Sequence, residues 1–114
     1  MKKQEIGIDL EEVGRFRKMP YQGNVSFYEK IFTDREIKYC LAKSNPYQHF
    51  AARFAAKEAA VKALGKSVYE AKNIEVVNSK DGKPELRIKG VKGRALVSLT
   101  HSGEYAAAIV LWQN

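Results

Sequence analysis

The sequence H-F-A-A-R-F-A-A-K-E-A-A-V-K-A-L-G, residues 49–65, decides the fold. It is rich in alanine, lacks proline and has its only glycine at the end, so it predicts a long central helix that stops at Gly65. At about 100° per residue, the large apolar residues form one stripe, and the alanines cover most of the opposite side. The stripe consists of Phe50, Phe54, Val61 and Leu64.

The charged residues of this helix lie in unusual places. A surface helix normally turns a broad charged face toward water. Here the charges flank or interrupt the apolar stripe, and they are Arg53, Lys57, Glu58 and Lys62. The alanine side allows another backbone to come close. We therefore expect a helix that is covered on two sides and that presents its charges to a cleft, to partner groups or to a ligand.

Near the N-terminus, residues 4–10 alternate as in a short strand with one buried face. The alternation predicts that the buried face holds Ile6, Ile8 and Leu10. Gly7 and Asp9 lie on the opposite face. Asp9 therefore stands near the end of a strand, on the side away from the predicted core.

Helices precede the central helix, and strands follow it. Residues 11–18 and 34–43 are typical of helices, and a capping box from Thr33 to Glu36 opens the second one. Residues 74–77, 85–89, 95–100 and 105–112 are typical of strands. We predict one α+β domain, residues 1–114, in which helices pack on a small antiparallel meander that also receives the N-terminal strand. No role is assigned to residues 20–25 and 66–72.

The composition limits the class of protein and its partners. A net charge of +7 and a pI near 9.5 predict attraction to something acidic, such as nucleic acid, a phosphorylated small molecule or an acidic protein. The single Cys40 excludes an intramolecular disulfide and a thiolate-rich zinc site, and it is expected to be a buried, inert thiol. No apolar run suits a membrane span or follows residues 1–5 as in a signal peptide, so we expect a cytoplasmic protein.

Two carboxylates are the candidates for chemistry. Asp9 and Glu58 come from separate elements, and together they could hold Mg²⁺, which takes few protein ligands and keeps waters and phosphate oxygens. A simpler interpretation makes Asp9 the N-cap of the first helix, with Glu12 three residues on. The simpler interpretation of Glu58 is an i,i+4 surface ion pair with Lys62. The residues alone leave these alternatives open.

Two further places suit phosphate binding. His101 lies at a strand end, where it could contact phosphate or substrate, act as an acid or base, or simply belong to a turn. Residues 81–84, D-G-K-P, could offer backbone N–H groups and an ammonium to a phosphate, or form a plain hairpin turn. The chain has no Walker loop, Rossmann glycine pattern, zinc set, Gly-x-Ser-x-Gly elbow or RNA-binding motif.

Taken together, these segments resemble a known family over nearly the whole chain and in the right order. The segments are residues 7–13, 15–16, 32–36, 52–59, 62–65, 82–84, 98–102 and 105–106. They are similar to the holo-acyl-carrier-protein synthases, the small bacterial branch of the 4′-phosphopantetheinyl transferases. The block R-F-A-A-K-E-A, residues 53–59, is highly specific.

The resemblance implies an activity and its partners. The enzyme would move 4′-phosphopantetheine from coenzyme A to a serine of an apo acyl carrier protein, releasing adenosine 3′,5′-bisphosphate, and so support fatty acid biosynthesis. It would be a homotrimer with active sites between neighbouring subunits. The resemblance implies neither a nucleic-acid partner nor a membrane.

The resemblance also implies roles for individual residues. Asp9 and Glu58 match the Mg²⁺ ligands, and Arg15 matches a basic position that meets the carrier protein. Glu58, or a water that it orients, would take the serine proton, and Lys62 would stabilise the leaving phosphate. The coenzyme A cleft is implied to include Arg53, Lys57, Lys62, Gly82, Lys83, Pro84 and His101.

Two other functions remain open from the sequence. The net charge would also suit a non-catalytic module that binds RNA. The two carboxylates would also suit a metal-dependent phosphohydrolase, which would release phosphate without a carrier protein.

Overall fold

The computed structural model describes residues 3–65 and 70–114 and shows an α+β fold, as predicted. The sequence predicts all five strands, the central helix and the helices at residues 11–18 and 34–43 in nearly these places. Residues 66–69 of the unassigned stretch lie outside the described part. The elements are β1 (Gln4–Glu12), α1 (Val13–Arg17), α2 (Val25–Ile31), α3 (Asp34–Leu41), α4 (Pro46–Leu64), β2 (Ile74–Asn78), β3 (Pro84–Ile88), β4 (Arg94–Ser102) and β5 (Tyr105–Gln113).

The central helix α4 carries the alanine-rich stretch and organises the packing. Pro46 occupies its first turn, and Gly65 ends it with a φ of 76°, a left-handed conformation that favours glycine. The alanines of one side pack against residues of β2 and β5 and are almost fully buried; they are Ala55, Ala56, Ala59, Ala60 and Ala63. The expected close packing of the alanine side on a sheet is confirmed.

The strands form two antiparallel sheets instead of one meander. β5 lies in the middle of a three-stranded sheet in the order β1-β5-β4, so the N-terminal strand joins it as expected. β2 and β3 form a separate hairpin, and β3 lies beside β4 without pairing with it. The hairpin and the larger sheet therefore cover different sides of α4.

The predicted facing of β1 is wrong. Ile6, Ile8 and Leu10 are each 63% exposed, whereas Gly7 is buried. A Cβ added at Gly7 would collide with the carbonyl oxygen of Ala59 and lie 2.9 Å from the backbone nitrogen of Ala63. The glycine face therefore packs on α4, because only a residue without a side chain allows the two backbones to approach so closely.

The N-cap interpretation of Asp9 is also wrong. β1 continues to Glu12, and α1 begins only at Val13, whose N–H donates to the Glu104 carbonyl at 2.8 Å. Asp9 lies on the inner face of β1, as Gly7 does. By contrast, the predicted capping box at the start of α3 is confirmed, because Thr33 and Glu36 exchange side chain–backbone hydrogen bonds.

A second core of aromatic rings holds the short helices against the first half of α4. Its fully buried rings belong to Phe16, Tyr28, Phe32 and Phe50. Cys40 is buried in the same cluster, as predicted for an inert thiol. None of the helices in residues 3–65 and 70–114 has the length and apolar character that crossing a membrane requires.

Candidate active site

Helix α4 carries charged side chains on two opposite flanks. Glu58 and Lys62 follow His49 and Arg53 by nine residues each, which places them about 180° away around the helix axis. The flank with Glu58 and Lys62 meets β1, since Lys62 bonds to groups of that strand. The flank with His49 and Arg53 meets β4 and the β2–β3 hairpin.

The β1 flank holds the acidic cluster, which we define as Asp9, Glu11 and Glu58. Lys62 Nζ lies 3.2 Å from Asp9 Oδ1 and 2.9 Å from the Ile8 carbonyl oxygen. Within the described chain, this contact to Asp9 is the ion pair that Lys62 forms, so the surface pair with Glu58 is not the arrangement present. The structure thus brings Asp9 and Lys62 together beside the turn of α4 that carries Glu58.

Glu11 is a member of this cluster that the sequence interpretation missed. Burial, followed by the close Asp9 carboxyl group, raises the pKa of Glu11 to about 7, and Arg15 opposes that shift. Glu58 contributes to the same rise. A sequence signal was present, because residues two apart on a strand share a face. Carboxylates at 9 and 11 therefore point to the same side of β1.

The acidic cluster fits a divalent cation that keeps part of its shell for other ligands. Asp9 Oδ2 is buried and has no hydrogen-bond partner. After burial, the neighbouring carboxylates Asp9 and Glu58 add to the raised pKa of Glu11, as like charges held close together do. In residues 3–65 and 70–114, no three acidic, histidine or cysteine side chains converge closely enough to enclose a metal by themselves. Mg²⁺ suits such a site, because it binds through one or two carboxylates and completes its shell with waters and phosphates.

The opposite flank holds the cationic cluster, which we define as Lys43, His49, Arg53 and His101. The ring centroids of His49 and His101 lie 5.6 Å apart. The Arg53 guanidinium lies 3.9 Å from the centre of the Tyr39 ring, and the Lys43 ammonium lies 4.6 Å from it. The structure thus gathers Arg53 and His101, both predicted at the cleft, and adds Lys43 and the imidazole of His49, which the sequence interpretation did not place there.

Arg53 is the buried member of the cationic cluster. It is only 3% exposed, and its Nε has no hydrogen-bond partner. Its Nη2 donates to Asn78 Oδ1 at 2.7 Å, and it forms no ion pair with any carboxylate of the described chain. A buried cation without an anionic partner is costly. This arrangement is typical of a site that receives an anion.

Asn78 connects Arg53 to the β2–β3 hairpin. Its Nδ2 donates to the Gly82 carbonyl oxygen at 2.9 Å, while its Oδ1 accepts from Arg53. The hairpin residues Gly82, Lys83 and Pro84 therefore lie on the same flank as the cationic cluster. No signal in the sequence marked Asn78, because its role depends on a contact between residues 25 positions apart.

The backbone of the hairpin favours the simpler of the two interpretations of residues 81–84. The Gly82 N–H donates to the Ser79 carbonyl at 2.9 Å, and the Ser79 N–H donates to the Lys83 carbonyl at 2.8 Å. Asp81 Oδ1 lies 3.4 Å from the Lys83 nitrogen. These contacts form a hairpin turn, which leaves the Lys83 ammonium as the group that can reach a phosphate.

Lys57 occupies a different environment from the other predicted site residues. It is 2% exposed, and its ammonium donates to Glu36 Oε1 at 2.7 Å, to the Ala71 carbonyl at 2.9 Å and to the Ile74 carbonyl. Burial lowers the pKa of Lys57, and Glu36 opposes this shift. All three N–H donors of the ammonium are used within the fold. Lys57 therefore ties α4 to α3 and to the segment that leads into β2.

Comparison with protein families gives one match that spans most of the chain. Residues 5–110 match the sequence model of the 4′-phosphopantetheinyl transferase superfamily. A holo-[acyl-carrier-protein] synthase from Geobacter sulfurreducens is 42% identical, over 95% of this chain and 95% of its own length. The same enzyme from Thermodesulfovibrio yellowstonii is also 42% identical, over 93% of this chain and 95% of its own.

Solved structures show the same fold. The crystal structure of a holo-(acyl-carrier-protein) synthase from Bacillus anthracis in complex with CoA (3′,5′-ADP) has a TM-score of 0.83 and 35% identity, and covers 96% of each chain. The Helicobacter pylori holo-[acyl-carrier-protein] synthase in complex with coenzyme A has a TM-score of 0.82 and 25% identity, over 94% of this chain and 98% of its own.

Proposed function

Because the chain belongs to the 4′-phosphopantetheinyl transferase superfamily, we propose that it acts as a holo-[acyl-carrier-protein] synthase on coenzyme A and an apo acyl carrier protein. It moves 4′-phosphopantetheine to a serine of the carrier protein and releases adenosine 3′,5′-bisphosphate. The observation that carries this proposal is the pair of charged clusters on opposite flanks of α4, one acidic and one cationic. Both clusters have a use with coenzyme A, because this molecule carries a pyrophosphate that is cleaved and a separate phosphate monoester that must be bound.

The acidic cluster is the reaction end of the proposed site. Asp9 and Glu58 would hold Mg²⁺, with the buried and unpartnered Asp9 Oδ2 as the most direct support. When bound, Mg²⁺ neutralises charge on the pyrophosphate. Lys62 is partly exposed beside Asp9, where its ammonium stabilises the leaving phosphate oxygen. Glu58, or a water that it orients, accepts the proton of the attacking serine.

The cationic cluster is the proposed binding end for the nucleotide part of coenzyme A. Arg53 lacks a carboxylate partner in the described chain, and an anionic ligand would supply the missing charge. His101 is exposed at the end of β4, and Lys83 is exposed in the hairpin turn that Asn78 ties to Arg53. Gly82 and Pro84 shape that turn. Lys57 remains a prediction as a coenzyme A contact, whereas its observed contacts support a structural role.

We also propose that neighbouring copies of the chain share each active site in a homotrimer. The two clusters lie on opposite flanks of α4, so one coenzyme A molecule reaches both most easily when they come from two subunits. The outer face of the sheet β1-β5-β4 supports this assembly, because it exposes large apolar side chains that a monomer would leave in water. These are Ile6, Ile8, Leu10, Leu96, Tyr105 and Ile109.

Arg15 is the proposed contact for the acidic carrier protein. It is exposed on α1 and lies 3.2 Å from Glu11, at the edge of the acidic cluster. A cation at this edge attracts an acidic protein to the end of the site where the serine must attack. The positive net charge of the chain supports the same partner.

The mass of the carrier protein after the reaction tests the proposal. Incubation with coenzyme A, Mg²⁺ and apo acyl carrier protein should add one phosphopantetheine group to the carrier protein, as read by intact mass spectrometry. A matched reaction without Mg²⁺ should add none. An unchanged carrier mass would contradict the proposal. Phosphate release without a carrier protein would instead indicate the phosphohydrolase, and co-purifying RNA with no binding of coenzyme A would indicate the RNA-binding module.

A further inference from the structure

We propose that His49 and His101 act together as a proton-linked contact for the phosphate monoester of coenzyme A. In this inference, which rests on the proposed function, the imidazole pair takes up a proton when the phosphate binds. The affinity for that phosphate therefore rises as the pH falls through the neutral range. His49 carried no role in the sequence interpretation, so the structure adds it to the site.

The geometry brings the two rings together from distant parts of the chain. His49 lies near the start of α4, His101 lies near the end of β4, and their planes meet at 68°. His101 is exposed, and His49 is half-buried, so a ligand that touches His101 also reaches the edge of His49. The chain contains no other histidine. The contact is therefore a local feature of the cationic cluster.

The charges that face His49 are positive. Arg53 lies one turn along α4, Lys43 follows α3, and His101 approaches from β4. The Tyr39 ring packs on His49 with its centroid 5.9 Å away. Among these neighbours no carboxylate opposes the cations. A second positive charge on the pair is consequently unfavourable while the site holds no anion.

This electrostatic environment sets the direction of the proton linkage. Burial, followed by His101, Arg53 and Lys43, lowers the pKa of His49 below its ordinary value of 6.5. The imidazole of His49 is therefore mostly neutral at pH 7 in the free site. A bound dianion stabilises the imidazolium form and raises that pKa. Binding must then draw protons from solution, and by linkage lower pH must strengthen binding.

The monoester is the phosphate that the pair contacts. The pyrophosphate has to lie at the acidic cluster, where the bond to be broken meets the metal ligands. That cluster lies on the other flank of α4, about 180° away by helix geometry. The remaining phosphate of coenzyme A is the monoester, which carries close to two negative charges at pH 7 because its second pKa is about 6. It is the group whose charge best matches two imidazoles and a buried guanidinium.

The test compares two ligands by titration calorimetry in two non-phosphate buffers of different ionisation enthalpy, with Mg²⁺ present. With coenzyme A at pH 7, the parent protein should take up about half a proton more per site than His49→Gln. With dephospho-coenzyme A, which lacks the monoester, the two proteins should not differ. The ratio of the two affinities, for coenzyme A over dephospho-coenzyme A, should fall between pH 6 and pH 8 in both proteins. It should fall about fivefold more in the parent than in His49→Gln. Titration of the phosphate of the free ligand is the same for both proteins, so it cancels when the parent is compared with His49→Gln.

Lys43→Gln is the matched control, because it removes a positive charge that does not titrate in this range. It should weaken binding of coenzyme A about twofold to threefold and keep most of the proton uptake, because Lys43 contributes least among the neighbours that lower the pKa of His49. Equal uptake by the parent and His49→Gln, or equal uptake with both ligands, would overturn the inference. Transfer to the carrier protein is measured on the same samples. Transfer without the difference in uptake refutes only the imidazole pair, and uptake without transfer refutes only the proposed function. Absence of coenzyme A binding refutes both.

Discussion

Only one of the two carboxylate oxygens of Asp9 has a hydrogen-bond partner within the described part of the fold. One carboxylate oxygen faces Lys62 at 3.2 Å, and the other is buried without a hydrogen-bond partner. An unsatisfied buried acceptor costs about 1–3 kcal/mol, so the fold keeps this oxygen at the expense of stability. Such a cost is typical of residues held for a ligand.

The first prediction concerns the two proposed metal ligands. Asp9→Asn and Glu58→Gln should each lower kcat/KM for transfer at least about a hundredfold, because each removes charge that holds Mg²⁺. MgCl₂ should raise the melting temperature of the parent, and each variant should abolish that rise. Glu12→Gln is the control, since Glu12 is exposed at the end of β1. Near-normal rates for either ligand variant would contradict the metal assignment.

The second prediction concerns the buried thiol of Cys40. Burial raises the pKa of Cys40 from an ordinary value of 9.0 to about 12. The folded state therefore holds the thiol proton more tightly than the unfolded state. The stability from this difference is fully present below pH 9 and is lost as the pH rises toward 12, by up to about 1.4 kcal/mol per pH unit.

Cys40→Ala removes that linkage. In urea unfolding, the variant should be less stable than the parent at pH 8, and the gap should narrow by about 1 kcal/mol at pH 10. Burial also raises the pKa of Tyr28, and that contribution is shared by both proteins. A gap that stays constant between pH 8 and pH 10 would show that the thiol does not titrate as expected.

At the scale of elements, the contact between β1 and α4 sets the position of the acidic cluster. Gly7 allows the strand backbone to lie directly on the alanine side of the helix. Asp9 and Glu11 share its face of β1 and therefore also turn toward α4. The same contact turns the large apolar residues of β1 outward.

The third prediction tests this contact with a pair of glycines. Gly7→Ala should lower the free energy of unfolding by about 2–4 kcal/mol, because the added Cβ collides with the Ala59 carbonyl and the backbones must separate. Gly14→Ala is the control, since its Cβ would meet only Glu104 Oε2 at an ordinary 3.6 Å within α1. It should be neutral or stabilise by up to about 1 kcal/mol. Equal effects in urea unfolding would argue against the close approach.

The elements themselves were largely predictable from the sequence, because local signals specify them. The periodicity of α4, its terminal Gly65 and the capping box of Thr33 and Glu36 all depend on residues within a few positions of each other. The facing of β1 was not predictable from its alternation. Alternation separates the two faces of a strand but does not say which face the helix covers. The apolar face of β1 points away from α4, and only a second chain could cover it.

The candidate site was predictable in its residue types and only partly in its geometry. The residue patterns marked Asp9, Glu58 and His101 as candidates, and the resemblance gave roles to these and to Arg53. One chain, however, places them in two clusters. The partners Asn78 and His49 carry no local signal, since their roles depend on contacts across the fold.

At the scale of the whole molecule, the exposed sheet face should drive assembly. The fourth prediction is that Ile8→Glu converts a trimer to a monomer in sedimentation analysis and lowers transfer at least tenfold, because a charge would be buried in the proposed interface. Leu41→Glu, on α3, places the same charge on another exposed apolar residue and should leave the trimer intact. A trimeric Ile8→Glu protein would place the interface elsewhere.

The shared active site is tested most directly by mixing two inactive proteins. Glu58→Ala removes the acidic end of the site, and Lys83→Ala/His101→Ala removes exposed cations of the binding end. Each homotrimer should transfer phosphopantetheine at least about a hundredfold more slowly than the parent. The two variants are unfolded together in equal amounts, refolded and assayed for transfer, with the separately refolded proteins as controls.

If sites form between subunits, a mixed trimer contains interfaces in which one chain supplies an intact acidic end and its neighbour an intact cationic end. Random assembly makes about a quarter of the interfaces of this kind, so the mixture should recover about a quarter of the parent activity. If each site lies within one chain, no chain holds both ends, and the mixture should remain as inactive as its components. That second result would contradict the shared site.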